Sequence, residues 1–259
     1  MPRFHGLLAL CLLPALLLVG PARAASPVAT ARAASPANCA AAPEFSVADE
    51  KLAHLAAAVR GDDPIEVLAV GSRTTIGQDG GGGRAFPYRM VEALRIALPD
   101  REIILTLRGA RGATAADMLK LIEAELAEQR FSLVLWQTGT VDALRGIPPE
   151  ELRKILEAGI ERVRAGGGDL VLIDAQYSRA MAAKLNETAY LQVLRQAADA
   201  PGVVLFRRHD LMRSWAADGR NDLDNVRKAD REKVIDALHA CLGETLARFV
   251  SRGAGIPIR

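Results

Sequence analysis

Apolar positions along this chain fall into two alternating kinds of segment. Short, nearly continuous apolar runs occupy Ile65 to Val70, Glu102 to Leu107, Phe131 to Gln137, Leu170 to Ile173 and Val203 to Phe206. Runs of this length, bounded by Gly, Pro or Asp, predict strands buried on both faces. Between them lie longer segments in which apolar residues return every three or four positions, the period of a helix with one buried face. The first is Ser46 to Arg60, with Val47, Leu52, Leu55 and Val59 at helical spacing. The others are Phe86 to Leu98, Ala115 to Gln129 with Thr114 as its cap, Pro148 to Ala165, Thr188 to Ala200, His209 to Ala217, and a last helix from Asp230 or Arg231 to Val250. Residues 218 to 229 are polar and predict a loop. Regular alternation of strand and helix predicts a three-layer α/β domain around a doubly wound, parallel, five-stranded sheet with right-handed crossovers.

The N-terminus breaks this pattern. Arg3 and His5 precede an apolar stretch from Leu7 to Val19, and Pro21 to Ala24 ends in an Ala-x-Ala sequence. A basic start, a short apolar run and small residues are the features of a cleaved secretory signal, here residues 1–24. The alternative is a retained anchor, for which the run is short. Residues 25–43 are rich in Ala, Ser and Pro without periodicity and predict a flexible leader, so the folded domain is expected over 44–259. Export would place the protein in the periplasm or outside the cell.

Charge and cysteine content narrow the partners. The chain has 33 Lys and Arg against 31 Asp and Glu, and removal of Arg3 and Arg23 with the signal balances them. A neutral chain gives no reason to expect nucleic acid or an anionic membrane as partner. Cys39 and Cys241 remain after cleavage. In an oxidising compartment an even pair suggests a disulfide, the alternative being two separate buried thiols. His54, His209 and His239 show no metal-ligand spacing, Gly80 to Gly83 matches neither a dinucleotide nor a Walker-type phosphate loop, and no cofactor is expected.

Chemistry is expected where strands end. Val67 to Val70 runs into Gly71-Ser-Arg-Thr-Thr-Ile-Gly77, and open α/β sheets bind ligands beyond the carboxyl ends of their strands. This stretch, followed by Arg108-Gly-Ala-Arg-Gly-Ala-Thr114, Trp136-Gln-Thr-Gly-Thr-Val-Asp142 and a late Asp-x-x-His-like stretch, resembles the four blocks of the SGNH/GDSL hydrolases. The resemblance spans residues 64 to 250 and implies a flavodoxin-like sheet with helices on both faces. In that family the blocks supply a nucleophilic Ser, a Gly and an Asn for the oxyanion hole, and a His paired with an Asp.

Matched position by position, the framework residues persist and the reacting ones change. Gly71 and Thr75 match the first block, which leaves Arg73 in the nucleophile's place. Gly112 matches the oxyanion glycine. Gly139 and Asp142 match the third block, with Val141 where the family has Asn. Asp236 and His239 match Asp-x-x-His literally, but aligning the last helices puts Asp230 and Lys233 there instead. A guanidinium is no acyl acceptor, a valine side chain donates no hydrogen bond to an oxyanion, and a lysine ammonium has no lone pair to take a proton.

The sequence therefore leads to an exported protein of this fold that has lost its catalytic apparatus and has a binding or accessory role. Arg73, Lys233 and Arg111 would favour an anionic ligand such as an acidic saccharide or a carboxylate. The alternative is an active esterase or carbohydrate O-deacetylase using Ser72 and His239, for which those two residues must meet. A structural interaction protein without a pocket ligand is the third possibility.

Overall fold

A computed structural model describes residues 39–48, 51–77 and 84–257. The expected signal, most of the leader and the glycine run 80–83 lie outside the described residues. Five strands form one parallel sheet: β1 (Ile65–Gly71), β2 (Ile103–Gly109), β3 (Leu133–Gln137), β4 (Asp169–Ile173) and β5 (Val203–Phe206), in the order β2-β1-β3-β4-β5. That order is the flavodoxin-like doubly wound arrangement. The helices are α1 (Ala53–Arg60), α2 (Arg73–Ile76), α3 (Phe86–Ala97), α4 (Ala115–Glu128), α5 (Thr140–Arg145), α6 (Pro149–Ala165), α7 (Arg179–Ala182), α8 (Glu187–Ala197), α9 (Arg208–Ala217) and α10 (Arg231–Ala254). Among the described residues no helix is long and apolar enough to cross a membrane.

Strand residues alternate between two apolar layers, as a period of two requires. Val67, Ala69, Leu135 and Ile173 pack with Leu55, Met90 and Leu242, from α1, α3 and α10. Leu68, Val70, Val134 and Leu172 pack with Met118, Leu156 and Leu194, from α4, α6 and α8. Burial on both faces explains why the strands read as continuous apolar runs.

Helix boundaries follow their caps. Thr114 and Asp117 form a capping box at α4, with Asp117 N–H donating to Thr114 Oγ1 at 3.3 Å and Thr114 N–H to Asp117 Oδ2 at 3.0 Å. Pro149 opens α6, and Gly255 with φ of 70° closes α10. The outer edge at β2 is blunted by arginines: Arg95 Nη2 donates to Ile103 O at 2.6 Å and Arg108 Nη1 to Leu107 O at 3.0 Å. Occupied edge carbonyls leave less for another strand to pair with.

The expected helix over Ser46 to Arg60 is shorter than its spacing suggests. Pro43–Phe45 is a 3-10 turn, Val47 is 44% exposed, and the helix starts at Ala53. Leu52 N–H donates to Gly253 O at 3.0 Å, and Leu55 N–H donates to Asp169 Oδ2 at 2.8 Å. The first turn of α1 is thus set by the far end of the chain and by a buried carboxylate, which stabilises a helix N-terminus.

Cys39 and Cys241 form a disulfide, with Cα atoms 4.7 Å apart. Both are buried, as is Phe45, and Trp215 Nε1 donates to Ala40 O at 2.9 Å. The packed core therefore takes in residues, from Cys39 onward, that composition alone assigned to the leader.

Candidate functional site

β1 and β3 are neighbours, but β2 on the other side of β1 comes between them in the chain. Their crossovers leave in opposite directions, and the carboxyl ends of β1 and β3 flank the resulting crevice. Gly71 ends β1 there. A Cβ on Gly71 would lie 2.1 Å from Thr75 Oγ1 and 3.1 Å from Gln137 Cβ, so only glycine lets α2 fold back against the strand end.

Gln137, the last residue of β3, organises the polar groups of that turn. Its Oε1 accepts from Thr74 Oγ1 at 2.9 Å, Thr75 Oγ1 at 3.0 Å and Ser72 Oγ at 3.5 Å. A carboxamide oxygen has two lone pairs. The two threonines hold them at short range and Ser72 makes the long third contact. The Ser72 hydroxyl is thus a donor to an amide oxygen, which does not take its proton. Arg73, which the sequence resemblance matched to the nucleophile's position, is exposed at the start of α2.

Other family-equivalent positions keep structural roles. Asp142 is fully buried, its Oδ1 accepting from Ala115 N–H at 3.0 Å and its Oδ2 from Thr138 Oγ1 at 3.5 Å. It ties α5 to the N-terminus of α4, and burial raises its pKa against those hydrogen bonds. Gly112 has φ of 76°, and its carbonyl accepts from Arg145 Nη2 at 2.8 Å. Val141 is half-buried in α5.

Neither version of the Asp-x-x-His block forms an acid–base pair. Asp236 faces arginines, with Oδ1 3.4 Å from Arg89 Nη2 and 3.7 Å from Arg84 Nε. His239 Nδ1 accepts from Phe86 N–H at 3.1 Å. That fixes the proton on Nε2, so the ring offers a donor there and its one lone pair is taken. Burial, with Arg208 adding to it, lowers the His239 pKa to about 4. Asp230 accepts from Arg227 Nε at 2.7 Å in a 3-10 turn, and Lys233 is exposed in the first turn of α10. Among the described residues no hydrogen bond joins Ser72 to His239: the hydroxyl donates to Gln137, and the ring Nδ1 accepts from Phe86 N–H.

The cation that the structure buries at this edge is Arg208. Arg73, Lys233 and Arg111 are exposed, whereas Arg208 is 1% exposed. Its Nη2 donates to Gln176 Oε1 at 3.1 Å and its Nη1 to Thr74 Oγ1 at 3.5 Å, and its Cζ lies 5.8 Å from the Phe86 ring centroid. Burial lowers its pKa to about 10, and the charge persists at neutral pH. Asp174, after β4, accepts His209 N–H at 2.7 Å, and burial pushes its carboxyl up to about 7. His209 itself is held on both sides, Nε2 3.1 Å from Glu187 Oε2 and Nδ1 3.3 Å from Asp210 Oδ1. It helps fix the start of α9 and, like Asp142, is occupied structurally. Among the described residues no group of three or more His, Cys, Asp or Glu could hold a metal ion.

From their positions at strand ends Gln137 and Gln176 are readable as pocket residues in the sequence, whereas Arg208, Thr74 and Asp174 are not. Arg207-Arg208-His209-Asp210 reads as a solvated helix start, and nothing local marks its second residue as buried.

Comparisons with known proteins agree with this fold. Residues 38–256 match the Non-GDSL lipase-like family. None of the curated proteins matches the chain. Among solved structures, a catalytic mutant of Axe2, an acetylxylan esterase from Geobacillus stearothermophilus, aligns with a TM-score of 0.58 at 16% identity, covering 76% of this chain and 98% of its own. LAE5, an alpha/beta hydrolase enzyme from the metagenome of Lake Arreo, Spain, aligns at 0.57 and 17%, covering 76% and 99%. The psychrotrophic esterase EstA from Pseudoalteromonas sp. aligns at 0.50 and 17%, covering 70% and 98%. At these identities the likeness is one of fold, and it places the chain on an SGNH-hydrolase-like scaffold.

Proposed function

The chain belongs to the Non-GDSL lipase-like family, and from that premise we propose that it is an exported, catalytically silent member that binds a ligand where its relatives cleave one. One observation carries the reading. The hydroxyl at the strand end, Ser72, donates to the Gln137 amide, and the His239 lone pair is occupied by a backbone N–H. A serine without a base to accept its proton is a weak nucleophile. The nucleophile's own place holds a guanidinium, and Val141 contributes no oxyanion donor, an interaction that contributes about 3 kcal/mol in hydrolases that have it.

A fluorophosphonate probe tests this directly. The purified protein is expected to remain unlabelled and to leave short acyl esters intact. Labelling that disappears in Ser72→Ala refutes the silent reading in favour of an esterase or O-deacetylase. Export is supported by the N-terminal sequence and by the buried disulfide, which suits an oxidising compartment. The protein recovered from the periplasm is expected to begin after Ala24, and recovery with residues 1–24 intact would count against a cleaved signal.

The ligand class follows from chemistry at the edge. One of the solved structures that share the fold is an acetylxylan esterase, and the buried Arg208 cation favours a negative group. An acidic saccharide or a carboxylate combines both features.

A further inference from the structure

We infer that Arg208 is a receptor for a small carboxylate, which displaces the Gln176 amide oxygen and bridges Nε and Nη2 of the guanidinium. The inference rests on the reading that this edge binds rather than cleaves, and it names the residue and the anion. The Nε and Nη2 hydrogens of an arginine point from one edge in parallel, a spacing that matches the two oxygens of a carboxylate. In Arg208 that edge is half used. Nη2 donates to Gln176 Oε1 at 3.1 Å, while Nε is buried and has no acceptor. As it is placed, the Gln176 oxygen serves Nη2 and not Nε, and a buried N–H without an acceptor is costly.

Among the described residues no carboxylate completes the pair and Arg208 makes no ion pair. Asp174 acts on its charge, but its Oδ1 accepts from His209 N–H, and its Oδ2 is also buried without a partner. Burying a cation without a bonded counter-charge is unfavourable unless something supplies one. The Phe86 ring lies against the guanidinium, with Cζ 5.8 Å from its centroid, and packs in turn with His239 at a centroid distance of 6.1 Å.

The polar neighbours of the guanidinium are Thr74 and Gln176, both half-buried and so nearer to solvent than Arg208 itself. The Thr74 contact is long, at 3.5 Å. The Gln176 backbone is pinned, its N–H donating to Thr140 Oγ1 at 3.1 Å. Its side chain is otherwise held only by a 3.7 Å contact from Nε2 to Met181 Sδ, a weak acceptor. The amide can therefore swing away and expose Nε and Nη2 without moving the backbone. One guanidinium among neutral hydroxyl and amide groups, with Asp174 close by, suits a planar monoanion.

Acetate is the probe, with chloride at equal ionic strength as control. Acetate is expected to raise the thermal midpoint of the full mature chain by roughly 3–6 °C at ten times its Kd. Arg208→Met is expected to abolish the response. Gln176→Glu places a carboxylate at the same edge, so its midpoint without acetate should rise and its acetate response should vanish. The assignment is overturned if wild type shows no shift beyond chloride, if the shift survives in Arg208→Met, or if Gln176→Glu lowers the midpoint and still responds. Should Arg208→Met fail to fold, Gln176→Glu decides alone. Fluorophosphonate labelling of the same preparations separates the two ideas: labelling with an acetate response refutes catalytic silence and leaves the receptor standing, and the reverse result refutes only the receptor.

Discussion

Replacing Cys39 and Cys241 together by alanine is expected to cost about 5 kcal/mol of stability, a loop-entropy figure for a link of this span. The bond joins residues 202 apart, so it closes a loop over most of the chain and restricts the unfolded state accordingly. For a domain of this size the cost corresponds to a fall of roughly 10–20 °C in the melting midpoint. The native side of the balance should change little. Both cysteines are buried, and Phe45 and the Trp215 contact to Ala40 hold the arm in place independently. Urea denaturation of the double variant beside the oxidised wild type measures the difference. A loss below about 1 kcal/mol would show that the entropic account fails for this arm. Because both sulfurs are shielded, a reductant should act on the native protein only through unfolding.

The same bond shows which parts of this molecule are legible along the chain. Its two partners could be picked by count and compartment, without knowing where they lie. Strands were legible because a strand with helices on both faces needs apolar residues at every position, as in Leu133–Gln137. Thr114 was legible as a cap because a hydroxyl before an amphipathic run has one common use. The start of α1 was not. Val47 falls in apparent helical spacing with later residues, yet the turn begins where Asp169 and Gly253 engage backbone N–H groups of Leu55 and Leu52. Those partners lie more than a hundred residues away, and no local pattern contains them.

At the site, the glycine and aspartate landmarks were visible but their present uses were not. Asp142 matches a family position and serves here to hold the first turn of α4. Arg208 had the opposite fate. An arginine after a strand looks solvated unless the fold closes over it, and closure comes from Thr74, Phe86 and Gln176 on three separate elements. The crevice and its rigid turns are useful to binding and to cleavage alike, so the framework by itself does not distinguish the two activities.

His239 carries the second large prediction, which concerns acid stability. In the folded protein its pKa falls from an ordinary 6.5 to about 4, because burial and the nearby Arg208 charge disfavour the imidazolium. The unfolded chain therefore binds a proton between these values that the folded one rejects. By linkage the neutral ring's contribution is fully present above about pH 6.5 and is lost as pH falls toward 4. The loss amounts to about 3 kcal/mol over that window. Protonation would also take the Nδ1 lone pair from Phe86 N–H and leave a buried donor facing a donor. Asp174 works in the opposite direction, since its carboxyl is raised to about 7 and favours the folded state as pH falls. The two must be separated by difference. In His239→Asn the amide oxygen can accept from Phe86 N–H and does not titrate, so this variant should lose the His239 part of the slope alone. Wild type minus variant, measured by urea denaturation at intervals from pH 7 to 4, is expected to fall steadily below pH 6.5. A flat difference would mean that the ring charges in place, and that Phe86 N–H finds another acceptor when it does.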